Sequence, residues 1–302
     1  AVAGKFGWHR AGDRTRPPQS VWKNPVAWRE ARIKAGTGDW LRWVIVIAGF
    51  FGAVALFIAH VTGRINAQQS RVWLSGIIMI QFAMALVIAA NTAATSMTKE
   101  KESKSMDLLL TTLLTSRYIL WGKLRGLVSY CLPLIGGPVV ALLLFGVYGA
   151  LSAATPPAIW IETCVEIAVV MVMYTACACV IGLKTSLHSK KTVTAVMQSV
   201  ALILVVGGFL SGIASMIVRE AAGVVGAFIA PFAPVTAVQY LVDSLALFDG
   251  NAGAFARHAQ SARVAAVIGC AGAAALYAMC VGMVYRKLVR DFDMVMRKQA
   301  GT

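Results

Sequence analysis

The chain has 302 residues, of which 58% are hydrophobic and only 14% charged, and its mean hydropathy is +0.71. A soluble domain carries roughly 25% charged residues, so an ordinary soluble fold is excluded and an integral membrane protein is predicted. The net charge of +15 does not point to nucleic acid, because the basic residues flank apolar runs long enough to cross a hydrocarbon core of about 30 Å.

Residues 1–23 read as a basic cytoplasmic arm or linker, with Lys5, Arg10, Arg14, Arg16 and Lys23 around Pro17-Pro18. The opening on Ala1 fits a processed chain or part of a longer polypeptide, and no apolar h-region occurs in the first forty residues. Residues 24–302 read as one membrane domain. It opens on a short helix in which Asn24 is the N-cap, Pro25 takes the first helical position and Gly36 ends the run. Trp28 and Ile33 alternate there with Arg29, Arg32 and Lys34, as in a helix lying among lipid headgroups.

Six spans are predicted, at about 41–62, 72–96, 119–150, 158–183, 192–218 and 264–285. Trp40 and Trp43 are interfacial anchors for the first. Pro133, Gly136, Gly137 and Pro138 predict a kink or a break in the third. Residues 221–234 are apolar and rich in Gly, Ala and Pro but too short to cross, which suits an outer re-entrant hairpin before the last span. With both termini inside, 23 of the 28 Lys and Arg fall on the cytoplasmic side; Arg64, Arg71, Arg219, Arg257 and Arg263 are the five outside. The fold class is therefore an all-α membrane protein with six helices, N-in and C-in.

Between spans two and three lies the one long charged and amphipathic segment, about 98–117. Met106, Leu109, Leu110, Leu113 and Leu114 fall on one helical face, Ser105 can cap that helix, and Asp107 lies in its first turn, where a negative charge suits the dipole. A charge cluster containing Glu100 and Glu102 precedes it.

Enzyme motifs are sparse. There is no Gly-x-x-x-x-Gly-Lys-Ser/Thr phosphate loop and no His-Glu-x-x-His, and His9, His60, His188 and His258 are scattered. Glu162 and Glu166 lie one turn apart near the outer end of span four; acids inside a membrane are costly and mark functional positions by default. A translocation path is one reading of Glu162 and Glu166; the other leaves Glu162, close to Trp160 and the loop, in water and gives Glu166 a hydrogen bond to a neighbouring helix. Met171, Met173, Cys177 and Cys179 are soft ligands that would suit Cu(I), and they are also ordinary apolar filler. The six cysteines all fall in apolar runs, which predicts buried thiols instead of a disulfide framework.

The stretch from Glu100 to Lys123 resembles the first cytoplasmic loop of type-2 ABC exporter permeases. The matching residues are Glu100, Glu102, Ser105, Met106, Asp107, Leu109, Leu110, Thr112, Gly122 and Lys123. Lys104 stands where that family usually has Gly, and Leu113 where Pro is common. Asn24-Pro25-Val26-Ala27-Trp28-Arg29-Glu30 is similar to the elbow helix that opens such permeases, and the Leu-Leu-Leu-Thr-Thr run is similar to the multicopper-enzyme maturation branch. The resemblance implies a coupling helix docked on a separate ABC ATP-binding subunit. Glu100 and Glu102 would pair with basic residues of that subunit, and Leu109, Leu110 and Leu113 would seat the helix. It also implies a second copy or a homologous permease, ATP and Mg held by the partner with no cofactor in this chain, no enzyme activity of its own, and a bacterial inner (plasma) membrane location. Two rivals stand beside it: a membrane-embedded lipid-modifying enzyme using Glu162 and Glu166 as acid and base, and a non-transporting assembly subunit.

Overall fold

The computed structural model describes residues 39–102, 115–152, 159–221, 223–248 and 252–300. The expected elbow helix (Asn24, Pro25, Trp28, Arg29, Glu30) and Ser105, Asp107, Leu109, Leu110 and Leu113 of the amphipathic segment lie outside the described residues. Six helices are long and apolar enough to cross a membrane: α1 (Asp39–Val61), α2 (Ala67–Glu102), α3 (Ser116–Leu151), α4 (Ile161–His188), α5 (Thr192–Ala221) and α8 (Ala252–Ala300). Between the last two come α6 (Gly223–Ile229), a 3-10 turn at Ala230–Phe232, α7 (Pro234–Val242) and a second 3-10 turn at Ser244–Phe248. No strand occurs among the described residues. The architecture is that of an all-α, multi-pass membrane protein.

The helices overrun the predicted spans. α2 has 36 residues and α8 has 49, because apolar character stops at the edge of the hydrocarbon while backbone hydrogen bonding does not. The charge cluster at Thr98–Glu102 is thus the last turn of α2, and Ser116 and Arg117 are the first turn of α3. α3 runs unbroken through Pro133 and Pro138; neighbouring helices can make good the backbone groups that proline frees. One brace lies nearby. Arg42 donates to the carbonyl of Tyr130 at 3.0 Å and its guanidinium sits 4.3 Å from the centre of that ring, so this charge is buried against α3.

α2 and α4 form the centre of the bundle. Ala89, Ala90, Ala93 and Ala94 of α2 are fully buried, and a Cβ at Gly182 of α4 would lie 2.6 Å from Ala93 Cβ and 3.0 Å from the Ala90 carbonyl. Only small residues allow that approach, which is how helices gain packing where lipid offers no hydrophobic drive. Ile78, Phe82, Phe145, Ile167 and Met171 belong to one core; Met97, Leu120, Leu127, Leu183 and Leu288 belong to another. α1 and α5 keep large apolar side chains outward, among them Phe51, Ile58, Val205, Phe209 and Met216. The chain leaves α1 by a Schellman turn: Gly63 has φ 71°, its N–H donates to the His60 carbonyl at 3.1 Å, and Arg64 N–H donates to the Ala59 carbonyl at 3.0 Å. No disulfide joins the six cysteines, and Cys131, Cys164, Cys179 and Cys270 are buried.

Candidate functional site

Charges placed in or beside apolar helices have to be satisfied by distant parts of the chain, and the described ones gather at the two ends of the bundle. The first cluster surrounds the point where α2 ends and α3 begins. Glu100 accepts from Lys123 Nζ at 2.7 Å, and that lysine is buried inside α3. Ser186 Oγ of α4 accepts from the backbone N–H groups of Met97 and Thr98 at 3.1 and 3.0 Å. Lys101 Nζ donates to the Ser186 carbonyl at 3.2 Å and to the Leu187 carbonyl, two of the acceptors that the C-terminus of α4 leaves open. Glu102 accepts from the N–H and the hydroxyl of Thr192 at 3.0 and 2.8 Å, and so caps α5 from a neighbouring helix. Those two bonds hold the Glu102 carboxyl below the usual glutamate range. The last turn of α2 is therefore tied to α3, α4 and α5. The segment 103–114 leaves from this fixed joint.

The second cluster lies at the other end, where α4 and α8 meet the short helices. Glu162 is paired with Arg263, whose guanidinium sits 3.9 Å from the centre of the Trp160 ring. Glu166, one turn further in, is 7% exposed, and its Oε1 has no hydrogen-bond partner among the described residues. It lines a cavity of about 30 Å³ together with Glu162, Arg263, Tyr240, Ser244 and Leu247. That volume suits a water or an ion of similar size. Nearby, Arg71 at the start of α2 lies 3.5 Å from Asp243 at the end of α7, and both side chains are largely buried.

A third feature lies between α4 and α8. The 3-10 turn at Ala230–Phe232 exposes carbonyls that no regular helix consumes. Tyr174 OH donates to the Pro231 carbonyl at 3.3 Å, and Tyr277 OH donates to the Phe232 carbonyl at 2.6 Å. Tyr174 sits near the midpoint of α4 and Tyr277 near the midpoint of α8. The backbone carbonyl of Phe228 lies 2.3 Å from where a Cβ at Gly269 would stand, so α6 presses directly on α8. Beside the turn, Phe82, Leu86, Ile203, Gly207, Pro234 and Val235 line an apolar cavity of about 170 Å³. Irregular backbone thus reaches the mid-height of the bundle with its carbonyls satisfied by tyrosines, the condition for tolerating such backbone at membrane depth.

Of the site residues expected from sequence, Glu100 and Glu102 come together at the joint between α2 and α3, and Glu162 and Glu166 share the small cavity. Both carboxylates at the joint are engaged within the chain. In the sequence Lys123 is marked only as part of the permease-like motif and Arg71 and Arg263 only as charges of the less basic side, while Ser186, Thr192, Asp243, Tyr174 and Tyr277 carry no mark as site residues. The signal available for Tyr174 and Tyr277 is a polar tip deep in an apolar run, which calls for a partner. Met171 and Cys179 are buried in the cores, while Cys177 Sγ faces the Tyr277 carbonyl at 3.8 Å. No group of three or more His, Cys, Asp or Glu converges among the described residues. No protein-family model matches the chain, and no curated protein matches it in sequence.

Proposed function

We propose that this chain is the membrane-spanning subunit of an ABC exporter, N-in and C-in, which takes its driving force from a separate ATP-binding subunit and hydrolyses nothing itself. The observation that carries the reading is the inner joint. The last turn of α2, which precedes residues 103–114, is tied to α3, α4 and α5 by Glu100–Lys123, Ser186 and Glu102–Thr192. A push on residues 103–114 would then move the bundle instead of bending a loose loop. Leu109, Leu110 and Leu113 supply the face that seats in the partner. Glu100 and Glu102 contribute through the anchorage, in addition to any pairing with the partner.

The hairpin of α6 and α7 supports the second half of the reading. A turn reaching the midpoints of α4 and α8 fits a re-entrant segment acting as an outer gate, with Glu166 and the apolar cavity behind it as the path. The rival enzyme reading would use Glu162 and Glu166 as acid and base. Glu162 is committed to Arg263, and the cavity it shares with Glu166 is about 30 Å³, so only Glu162 faces the open recess of about 590 Å³ beside it.

The test is co-purification from native membranes. An ATP-binding protein is expected to accompany the chain, and L109A/L110A/L113A should release it while leaving the melting midpoint of the chain unchanged. ATP-dependent activity and partner retention both undiminished in that variant would overturn the docking role.

A further inference from the structure

On the same side as the inner joint, but facing outward from the bundle, the start of α3 and the last third of α8 enclose an open recess of about 940 Å³ lined by Arg117, Trp121, Gly282, Tyr285, Arg286 and Arg290. We propose that this recess binds the phosphodiester headgroup of an anionic phospholipid from the adjoining leaflet, with its acyl chains lying along α3 and α8.

Three observations converge on that ligand. Arg117, Arg286 and Arg290 are all exposed, and none forms an ion pair with a described carboxylate. The nearest acid in sequence, Asp291, faces His188 at 3.5 Å instead. Three guanidinium groups around one recess repel one another unless an anion sits between them, and the planar fork of arginine matches phosphate oxygens. The α3 terminus adds to the field: Thr115 makes no side-chain cap and the first turn has no acid, so its open N–H groups also favour an anion.

The walls fix the depth. Trp121 is 54% exposed, its ring lies 6.0 Å from that of Tyr285 in an edge-on arrangement, and Tyr285 OH donates to the Arg117 carbonyl at 2.9 Å. A Trp–Tyr pair directly beneath an arginine cluster is the signature of the headgroup level. Arg117, Trp121 and Arg125 share one face of α3 at one-turn intervals, and Arg125 is exposed as well. Past them, Met279 and Met283 of α8 and Leu132 of α3 stand outward and apolar, ready for acyl chains. A basic recess between helices, with aromatic walls and an apolar apron, recognises a charged headgroup on a greasy body better than a free anion. The inference stands whether or not the chain works with an ATPase.

The full-length protein in phosphatidylcholine nanodiscs is titrated with phosphatidylglycerol, and bound lipid is counted by native mass spectrometry. R286Q/R290Q should bind it about 25-fold more weakly, roughly fivefold for each arginine removed near a membrane surface. R286K/R290K should recover a large part of the binding, and R219Q/R257Q at the opposite end should bind as the parent does. Undiminished phosphatidylglycerol binding in R117Q/R286Q/R290Q would overturn the proposal. So would equal competition by millimolar inorganic phosphate. As a check that needs no arginine variant, dibrominated phosphatidylglycerol should quench the Trp121 fluorescence, read as the difference from W121F, more than dibrominated phosphatidylcholine does. Equal quenching would also overturn it.

Discussion

The two tyrosines at the 3-10 turn allow a quantitative test of how irregular backbone is held between the midpoints of α4 and α8. Tyr277→Phe removes one hydroxyl that donates to the Phe232 carbonyl at 2.6 Å and leaves the ring in place against Tyr174, 4.5 Å away between centroids. Hydrogen bonds inside membrane proteins average about 0.6 kcal/mol and reach about 1.7. A bond this short to an acceptor with no helical partner belongs in the upper half, roughly 1–1.5 kcal/mol. The Tyr174 bond to Pro231, at 3.3 Å, belongs near 0.5 kcal/mol. If local opening of the turn governs amide exchange, Y277F should speed exchange across residues 230–236 roughly five- to tenfold, and Y174F about twofold. The assay is hydrogen–deuterium exchange with mass spectrometry on the reconstituted protein, with α2 as the internal reference. Acceleration spread evenly over α4 and α8, or a Y174F effect as large as that of Y277F, would refute the reasoning and make the tyrosines plain core residues.

Three further predictions concern the charges. Glu100→Gln should destabilise the chain by about 1.5–3 kcal/mol. That is below the 3–5 of a fully buried broken pair because the glutamate side is partly exposed, and E100M/K123M should recover most of the loss; a coupling under about 0.5 kcal/mol in the double-mutant melting cycle would defeat it. Glu102, beyond the apolar part of α2, has its carboxyl lowered by Thr192. Its stabilisation should be complete above the ordinary glutamate range near 4.3 and fade as pH falls through the folded value. The melting gap between wild type and E102Q is therefore predicted to close in acid, and a gap that widens in acid would contradict the sign. Glu166→Met should raise the melting midpoint, because an apolar side chain replaces a buried oxygen with no hydrogen-bond partner, and should lower transport if the residue lines the path; a lowered midpoint would show that Glu166 is satisfied in the native membrane.

The six long apolar helices were readable because a helix able to cross lipid needs a run of about 20 apolar residues wherever it sits in the bundle. Pro133 and Pro138 misled in part. Their local effect predicts a kink or a break, yet α3 is continuous, since the surroundings decide whether a freed backbone group is tolerated. Residues 72–96 and 264–285 captured the apolar portions of α2 and α8 and missed their extensions, where composition turns polar while the helix goes on. Arg42 shows the limit of counting charges: the sequence counts it among the basic residues before the first long helix, but its burial against Tyr130 depends on α3, 88 residues away.

What the sequence determined by itself is what depends on local composition: an all-helical body, six helices long and apolar enough to cross a membrane, a clustering of basic residues, an apolar run too short to cross and a charged segment after the second long helix. What only the tertiary structure decided is the pairing. Glu100 meets Lys123, Glu162 meets Arg263, Arg71 meets Asp243, and two tyrosines meet the carbonyls of one turn. A charge announces in the sequence that it needs a partner, because desolvation penalises it wherever it is buried. Which partner it finds is set by how the small faces of α2 and α4 let the helices close, and no local pattern encodes that.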